Sequence, residues 1–208
     1  MMVHTAAKLH ASLDALAKTE KRFAKVLKTH GRPEPRVSPP GVTTLLRTIV
    51  GQQVSVAAAR SMWNKLEALV GSPPDLDVLL KSTDEELRAA GLSRQKAGYA
   101  RSLAGLVLSG DLDLANLPED DEEAIALLTK IKGIGRWSSE IYLLFSEGRP
   151  DVWPAGDLAV QVEIGKLMGL KDRPSEKQLR ELAEAWRPHR GAAAILAWHS
   201  YNSAGSAL

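Results

Sequence analysis

The apolar residues of this chain recur at helical spacing from one end to the other. The pattern predicts helices at about 5–29, 42–50, 55–70, 94–108, 157–168, 175–186 and 190–202. Alternating runs rich in Val, Ile, Thr and aromatic residues, which would indicate strands, are nearly absent. The chain is therefore expected to have an all-α fold.

Proline, glycine and short polar residues mark where these helices begin and end. Prolines concentrated between residues 31 and 41 predict an extended connector. Ser82 or Thr83 is expected to cap a short helix that ends at Gly91. The acidic segment 119–123 is expected to begin another helix, because carboxylates complement the dipole at a helix N-terminus.

We expect two helical lobes that flank a cleft. A central lobe would span about 42–155 and contain two helical segments around a short turn, at about 127–145. Residues 1–41 and 156–208 would pack as the second lobe. A chain of 208 residues is long enough to bury a substantial core in this arrangement.

Charge and composition exclude several classes of protein. With 27 basic and 25 acidic residues the formal charge is only +2, so a polybasic protein is excluded. The absence of cysteine excludes disulfides, a thiolate nucleophile and a cysteine-ligated cluster. Without a signal-like start or a membrane-length apolar run, a cytoplasmic protein is expected. The five histidines lack a zinc-ligand spacing: His4, His10, His30, His189 and His199.

The segment Lys132-Gly133-Ile134-Gly135-Arg136 lies between two apolar helical segments. Glycine accepts positive φ and has no side chain to block the approach of another molecule. Backbone N–H groups at the start of the following helix favour an anion such as a DNA phosphate, and Lys132 and Arg136 add positive charge. On this motif alone, a plain helix–helix turn capped by glycine remains an alternative.

Asp157 follows a Trp-Pro-Ala-Gly segment and precedes an apolar helical sequence. At a helix N-terminus the dipole and the unpaired N–H groups stabilise an ionised carboxylate. Taken alone, Asp157 is an ordinary helix cap. About one helix and one loop separate Asp157 from the glycine turn. This is enough chain to bring the carboxylate back to the end of the helix pair where a phosphate would bind.

Four blocks in this order resemble the helix-hairpin-helix DNA glycosylases, and most closely the 3-methyladenine DNA glycosylase II branch. The resemblance covers about 42–198. The blocks are residues 46–55, 128–137 with the glycine turn, 153–158, and 186–190 leading to Trp198.

The resemblance implies that Asp157 is the catalytic carboxylate of an enzyme that flips a damaged base out of double-stranded DNA. The carboxylate would stabilise the developing sugar cation and orient the attacking water. Members that also cleave the strand carry a lysine directly after Gly-x-Gly-Arg, where this chain has Trp137. We therefore predict excision of alkylated purines, of the 3-methyladenine and 7-methylguanine type, without strand cleavage.

Purines alkylated on a ring nitrogen are cations, which aromatic faces attract. We expect Trp137 and Trp198 to face the flipped base and Trp153 to line the entrance, with a core position as the alternative for each. Ile141 and Leu158 stand where the resembled enzyme has pocket tyrosines, so the pocket should be less aromatic.

Gln53 occupies the position where the resembled enzyme inserts a leucine into the gap left by the flipped base. A glutamine can fill that gap and hydrogen-bond the orphaned base, although it is a weaker apolar wedge. The expected DNA contacts are Gln53, Ser55, Lys132, Gly133, Gly135, Arg136 and Ser138.

The resemblance also implies an alkali cation held by backbone carbonyls of the glycine turn. No other cofactor is expected, and the protein is expected to act as a monomer on DNA that contains alkylated bases. Two other functions stay open. One is a non-catalytic module that binds damaged or bent DNA; the other is a glycosylase for neutral lesions such as hypoxanthine, which would need a donor to activate the leaving base.

Overall fold

Helices account for most of residues 6–205, the part of the chain that the computed structural model describes, with side chains described up to residue 203. This part contains no strand, so the all-α prediction is confirmed. Thr5 and His4 lie outside the described residues. The α-helices are α1 Ala6–Thr19, α2 Lys21–His30, α3 Val42–Gly51, α4 Val56–Val70, α5 Leu76–Lys81, α6 Asp84–Ala89, α7 Arg94–Leu108, α8 Asp121–Leu128, α9 Arg136–Tyr142, α10 Leu158–Met168, α11 Glu176–Ala183 and α12 Arg190–Gly205.

Short polar side chains begin many of these helices, as the sequence predicted for several of them. Each cap accepts a hydrogen bond from a backbone N–H of the first turn, which would otherwise lack a partner. Thr83, not Ser82, begins α6 and forms a reciprocal capping box with Glu86. The other caps of this kind are Glu20, Ser55, Asp75, Ser93, Asp120, Asp157 and Ser175.

The chain divides into two compact units. The central unit is Ser38–Tyr142, and the terminal unit combines the described residues up to Val37 with those from Leu143 onward. Residues 143–155, expected in the central lobe, thus belong to the terminal unit. The backbone N–H of Gly191 donates to the Pro150 carbonyl at 2.9 Å, and the Asp151 carboxylate pairs with Arg190. These two contacts hold residues 143–155 against the start of α12.

In the central unit, α3 packs against α4 and α7, and α5 packs against α7. The core contains Leu46 and Ile49 from α3, Leu66 from α4 and Leu103 from α7, all with no exposed surface. Burial of this apolar surface is the main force that stabilises the unit. The Tyr142 hydroxyl accepts a hydrogen bond of 2.7 Å from the Gly41 backbone N–H, which joins the start of α3 to the end of α9.

In the terminal unit, α12 packs against α10, α1 and α2. Its segment from Ala192 to Ala197 is buried, and four of these six residues are alanine. After α9 the chain forms a π-helical turn, Leu143–Glu147, and a 3-10 turn, Glu184–Trp186, follows α11. None of the described helices is long and apolar enough to cross a membrane.

Candidate functional site

The turn between α8 and α9 is held by buried apolar residues on its inner side. Ile131 and Ile134 are buried, and the Ile134 N–H donates to the Ile131 carbonyl at 3.0 Å. Gly133 has φ +81°, and a Cβ atom added there would lie 2.1 Å from the Tyr99 ring. Only glycine fits this position, because the backbone conformation and the ring each exclude a side chain. Gly135 has neither constraint.

The outer side of the same turn is exposed at Lys132, Gly133 and Gly135. Lys132 forms a backbone hydrogen bond to the Ser102 hydroxyl at 3.1 Å, which fixes the turn while its side chain remains exposed. An exposed glycine backbone beside a lysine is suited to a phosphate. The DNA contacts expected at these three exposed positions stay predictions.

Arg136 does not supply the free charge that the sequence analysis expected. Its guanidinium pairs with the Glu122 carboxylate, and its Nε donates to Glu140 at 3.0 Å. The hydrogen bond with Glu122 raises the pKa of Arg136 above its ordinary value. Because Glu140 is only 2% exposed, Arg136 is engaged in holding a buried carboxylate at the start of α9.

The structure therefore predicts different effects for the two basic residues beside the turn. Arg136→Gln should lower the free energy of unfolding by about 1.5 to 3 kcal/mol, the usual loss for hydrogen bonds to a charged group. Lys132→Gln should leave stability within about 0.5 kcal/mol but reduce the salt dependence of DNA binding by about one unit of slope. Denaturant unfolding measures the stability of each variant, and salt titrations measure the salt dependence of its DNA binding. A loss of stability in Lys132→Gln, with a reduced salt dependence only in Arg136→Gln, would contradict these roles.

The short turn between α3 and α4 is joined to the glycine turn. Gln52 Nε2 donates to the Gly133 carbonyl at 2.8 Å. The next residue, Gln53, has φ 55° and is exposed, as is Val54. Ser55 accepts a hydrogen bond from the Ala58 N–H at 3.2 Å, so its hydroxyl caps α4.

These residues border an open hollow of about 930 Å³ in the central unit. Trp137, 47% exposed, lines it together with Gln53, Gly133 and Ser138. Four residues predicted separately from the sequence are thus brought together in one surface. Ile141, also predicted for the pocket, is half-buried on α9 and does not line this hollow.

Asp157 begins α10 in the terminal unit, as the sequence predicted. Its Oδ1 accepts hydrogen bonds from the Val160 backbone N–H and from the Trp198 indole N–H, each at 3.0 Å. Two donors from different helices fix the carboxylate, which is half-buried. Trp198 in turn packs against Phe145, with ring centroids 5.6 Å apart. Leu158, the first residue of α10, is 55% exposed.

Trp153 is a core residue, and its expected place at the pocket entrance is wrong. It is 2% exposed, and its indole N–H donates to the Leu179 carbonyl at 3.3 Å. Its ring meets Trp186 edge-on at a centroid distance of 5.5 Å, and Trp186 meets Phe23 in the same way. A large ring enclosed on these sides stabilises the terminal unit and leaves no face for a ligand.

Sequence reasoning gave no role to two residues that hold the α3–α4 turn. Gln52 carries no signal beyond its place in the block 46–55, and Lys96 lies in an ordinary helical stretch. The Lys96 ammonium donates to the Val50 carbonyl at 2.7 Å, and burial lowers the pKa of Lys96. The pairing depends on the tertiary fold, since 46 residues separate the two partners.

No group of three or more metal-ligating side chains that could hold an ion occurs among residues 6–203. The His199 ring lies 2.8 Å from the His30 carbonyl, which places this histidine in a structural contact between α12 and α2.

The helices α8 and α9, joined by a short turn that exposes its glycine backbone, form a helix-hairpin-helix in the central unit. A family model described as "HhH-GPD superfamily base excision DNA repair protein" matches residues 46–188. The chain therefore belongs to the HhH-GPD superfamily, and the resemblance drawn from four sequence blocks is confirmed.

Several curated relatives carry a more specific name. The chain is 31% identical over 198 residues to DNA-3-methyladenine glycosylase 1 of Schizosaccharomyces pombe, covering 93% of this chain and 86% of the relative. It is 27% identical over 165 residues to DNA-3-methyladenine glycosylase 2 of Escherichia coli, covering 74% of this chain but only 56% of that protein.

Solved structures of proteins with similar names have the same fold as this chain. A DNA-3-methyladenine glycosidase from Bacillus halodurans superposes with a TM-score of 0.86 at 30% identity, covering 94% of this chain and 91% of that one. The S. pombe 3-methyladenine DNA glycosylase in complex with abasic DNA superposes with a TM-score of 0.77 at 27% identity, covering 94% and 97%.

Proposed function

We propose that this protein is a monofunctional DNA glycosylase that removes alkylated purines in base excision repair. The observation that carries the proposal is the Asp157 carboxylate, fixed at the N-terminus of α10 by the Val160 and Trp198 N–H groups. A carboxylate held in one orientation needs no reorganisation when positive charge develops beside it. The names of the relatives from S. pombe and E. coli support this substrate class.

The proposed reaction is hydrolysis of the bond between the sugar C1′ and a cationic purine nitrogen. The electron pair of that bond leaves with the purine, which becomes neutral, and the sugar becomes an oxocarbenium ion. Asp157 stabilises this cation and orients a water molecule, whose oxygen bonds to C1′ while its proton passes through the carboxylate to solvent. Because the base leaves as a neutral molecule, no general acid is required.

Two tryptophans support the choice of a cationic substrate. An indole face attracts a cation by about 0.5 to 2 kcal/mol, depending on how far water is excluded. Trp137 exposes part of its ring in the hollow of the central unit, and Trp198 lies against the catalytic carboxylate in the terminal unit. We propose both as contacts for the DNA lesion.

The proposed enzyme leaves the DNA strand intact. Strand cleavage by this superfamily requires an amine that forms a Schiff base with the sugar, and Trp137 occupies that position. Lys132 precedes the glycine turn and is assigned to the phosphate backbone.

An alkali cation at the glycine turn is compatible with the residues present. The Ile131 carbonyl accepts from the Ile134 N–H, and the Gly133 carbonyl accepts from Gln52. Each carbonyl has a second lone pair, and backbone carbonyls are suitable ligands for an alkali ion. A bound cation would add positive charge beside a phosphate, and no step of the hydrolysis depends on it.

The function is tested by incubating the protein with duplex DNA treated with a methylating agent and measuring released bases by chromatography. We expect 3-methyladenine and 7-methylguanine in the supernatant, with strand breaks appearing only after alkali treatment. Binding without any release would indicate a non-catalytic DNA-binding module instead. Release of hypoxanthine but of no methylated base would indicate an enzyme for neutral lesions, and strand breaks before alkali would contradict monofunctional chemistry.

A further inference from the structure

Gln53 has an unusual backbone conformation for its residue type. Among residues 6–205 it is the non-glycine residue with positive φ, at 55°. A non-glycine residue in this region is strained, and such residues persist only where surrounding contacts impose the conformation. The contacts that hold the α3–α4 turn therefore determine where the Gln53 side chain points.

Two hydrogen bonds connect this turn to other segments of the central unit. The Lys96 ammonium, on α7, binds the Val50 carbonyl at 2.7 Å, in the last turn of α3, where a cation also complements the helix dipole. On the other side of Gly51, the Gln52 amide binds the Gly133 carbonyl at 2.8 Å. One bond fixes the end of the helix, and the other fixes the residue directly before Gln53.

We propose that Lys96 and Gln52 are positioning residues that hold Gln53 ready to fill the gap left by a flipped base. Neither needs to contact the lesion. Their effect is to fix the turn before DNA binds, so that binding free energy is not lost in ordering it. This inference rests on the proposed function and on the resemblance that places Gln53 at the position of the gap-filling residue.

The inference is tested by binding alone, without catalysis. The probes are two duplexes of the same sequence, one undamaged and one in which a tetrahydrofuran residue replaces a single nucleotide and leaves a gap in the stack. The measured quantity is the ratio of their dissociation constants. We expect Lys96→Met and Gln52→Met each to reduce the preference for the gapped duplex on the order of tenfold, and Lys96→Arg, which keeps a donor, to retain most of it.

A double-mutant cycle separates positioning from general weakening of the fold. If Lys96 acts through Gln53, Lys96→Met should cause no further loss of preference in a Gln53→Ala background. Lys65→Met is the matched control, since Lys65 is an exposed lysine of the same unit on the neighbouring helix α4, and it should keep the wild-type preference.

An equal loss of preference from Lys96→Met in both backgrounds, or no loss in either, would overturn the inference. The proposed function is judged separately by the release of methylated bases from wild-type reactions. A preference that depends on Lys96 and Gln53 in a protein that releases no base would support the positioning role and contradict the enzymatic one.

Discussion

Replacing Asp157 with asparagine is expected to lower the single-turnover rate of base release by about 10² to 10⁴-fold. Asparagine has nearly the same shape, caps helices as well as aspartate does, and keeps an oxygen for the Val160 and Trp198 N–H groups. The substitution therefore removes the negative charge and little else. Single-turnover assays with enzyme in excess over a 7-methylguanine duplex isolate the chemical step.

The matched control is Asp120→Asn. Asp120 is another aspartate at a helix N-terminus, and its carboxylate accepts from the Glu122 and Glu123 N–H groups at 2.9 Å. The proposed mechanism gives it no role, so its substitution should leave the rate unchanged. A rate for Asp157→Asn within about twofold of wild type would show that the charge of this residue is not used.

Gly133→Ala is expected to cause the largest loss of stability near the site. The substitution places a side chain at φ +81°, which costs about 1 to 3 kcal/mol, and it forces a methyl group against the Tyr99 ring, which costs about 1 to 3 kcal/mol more. The turn must shift to relieve both, and this displaces the carbonyl that Gln52 binds. Denaturant unfolding should show a loss of about 2 to 6 kcal/mol, accompanied by weaker DNA binding.

Gly135→Ala provides the comparison, because position 135 has ordinary φ and open space around an added Cβ. It should fold with nearly wild-type stability. In the double variant Gly133→Ala/Tyr99→Ala, the steric part of the effect should disappear while the backbone part remains. Equal stability of the two alanine variants would mean that the packing of Gly133 against Tyr99 does not constrain the turn.

Long helices with a regular apolar spacing could be predicted from sequence. The paired helices at the start, α7 and the helix begun by Asp157 all lie where periodicity and capping residues place them. The helix α5 was missed because its six residues, Leu76–Lys81, form less than two turns and cannot show a period. The lobe boundary was misplaced because the bonds between 143–155 and the start of α12 are long-range contacts that no local pattern reveals.

For the site, the residue types could be predicted from sequence, but their partners could not. The Gly-x-Gly turn was visible, whereas the ring of Tyr99 that requires Gly133 lies 34 residues earlier in the sequence. Trp153 was misassigned because a tryptophan lining a pocket and one filling a core have the same local sequence character. The ion pair of Arg136 could not be predicted because its partner Glu122 lies 14 residues away and contacts it only in the folded chain.

The most direct measurement of the central claim asks whether the Asp157 carboxylate recognises positive charge at the sugar. Two duplexes are compared, one with a cationic pyrrolidine ring in place of the sugar of the damaged nucleotide and one with a neutral tetrahydrofuran ring. A site built to stabilise the sugar cation should bind the charged mimic at least about tenfold more tightly, and Asp157→Asn should lose that preference. Equal binding of both duplexes by the wild type, or a preference that survives in Asp157→Asn, would contradict the account.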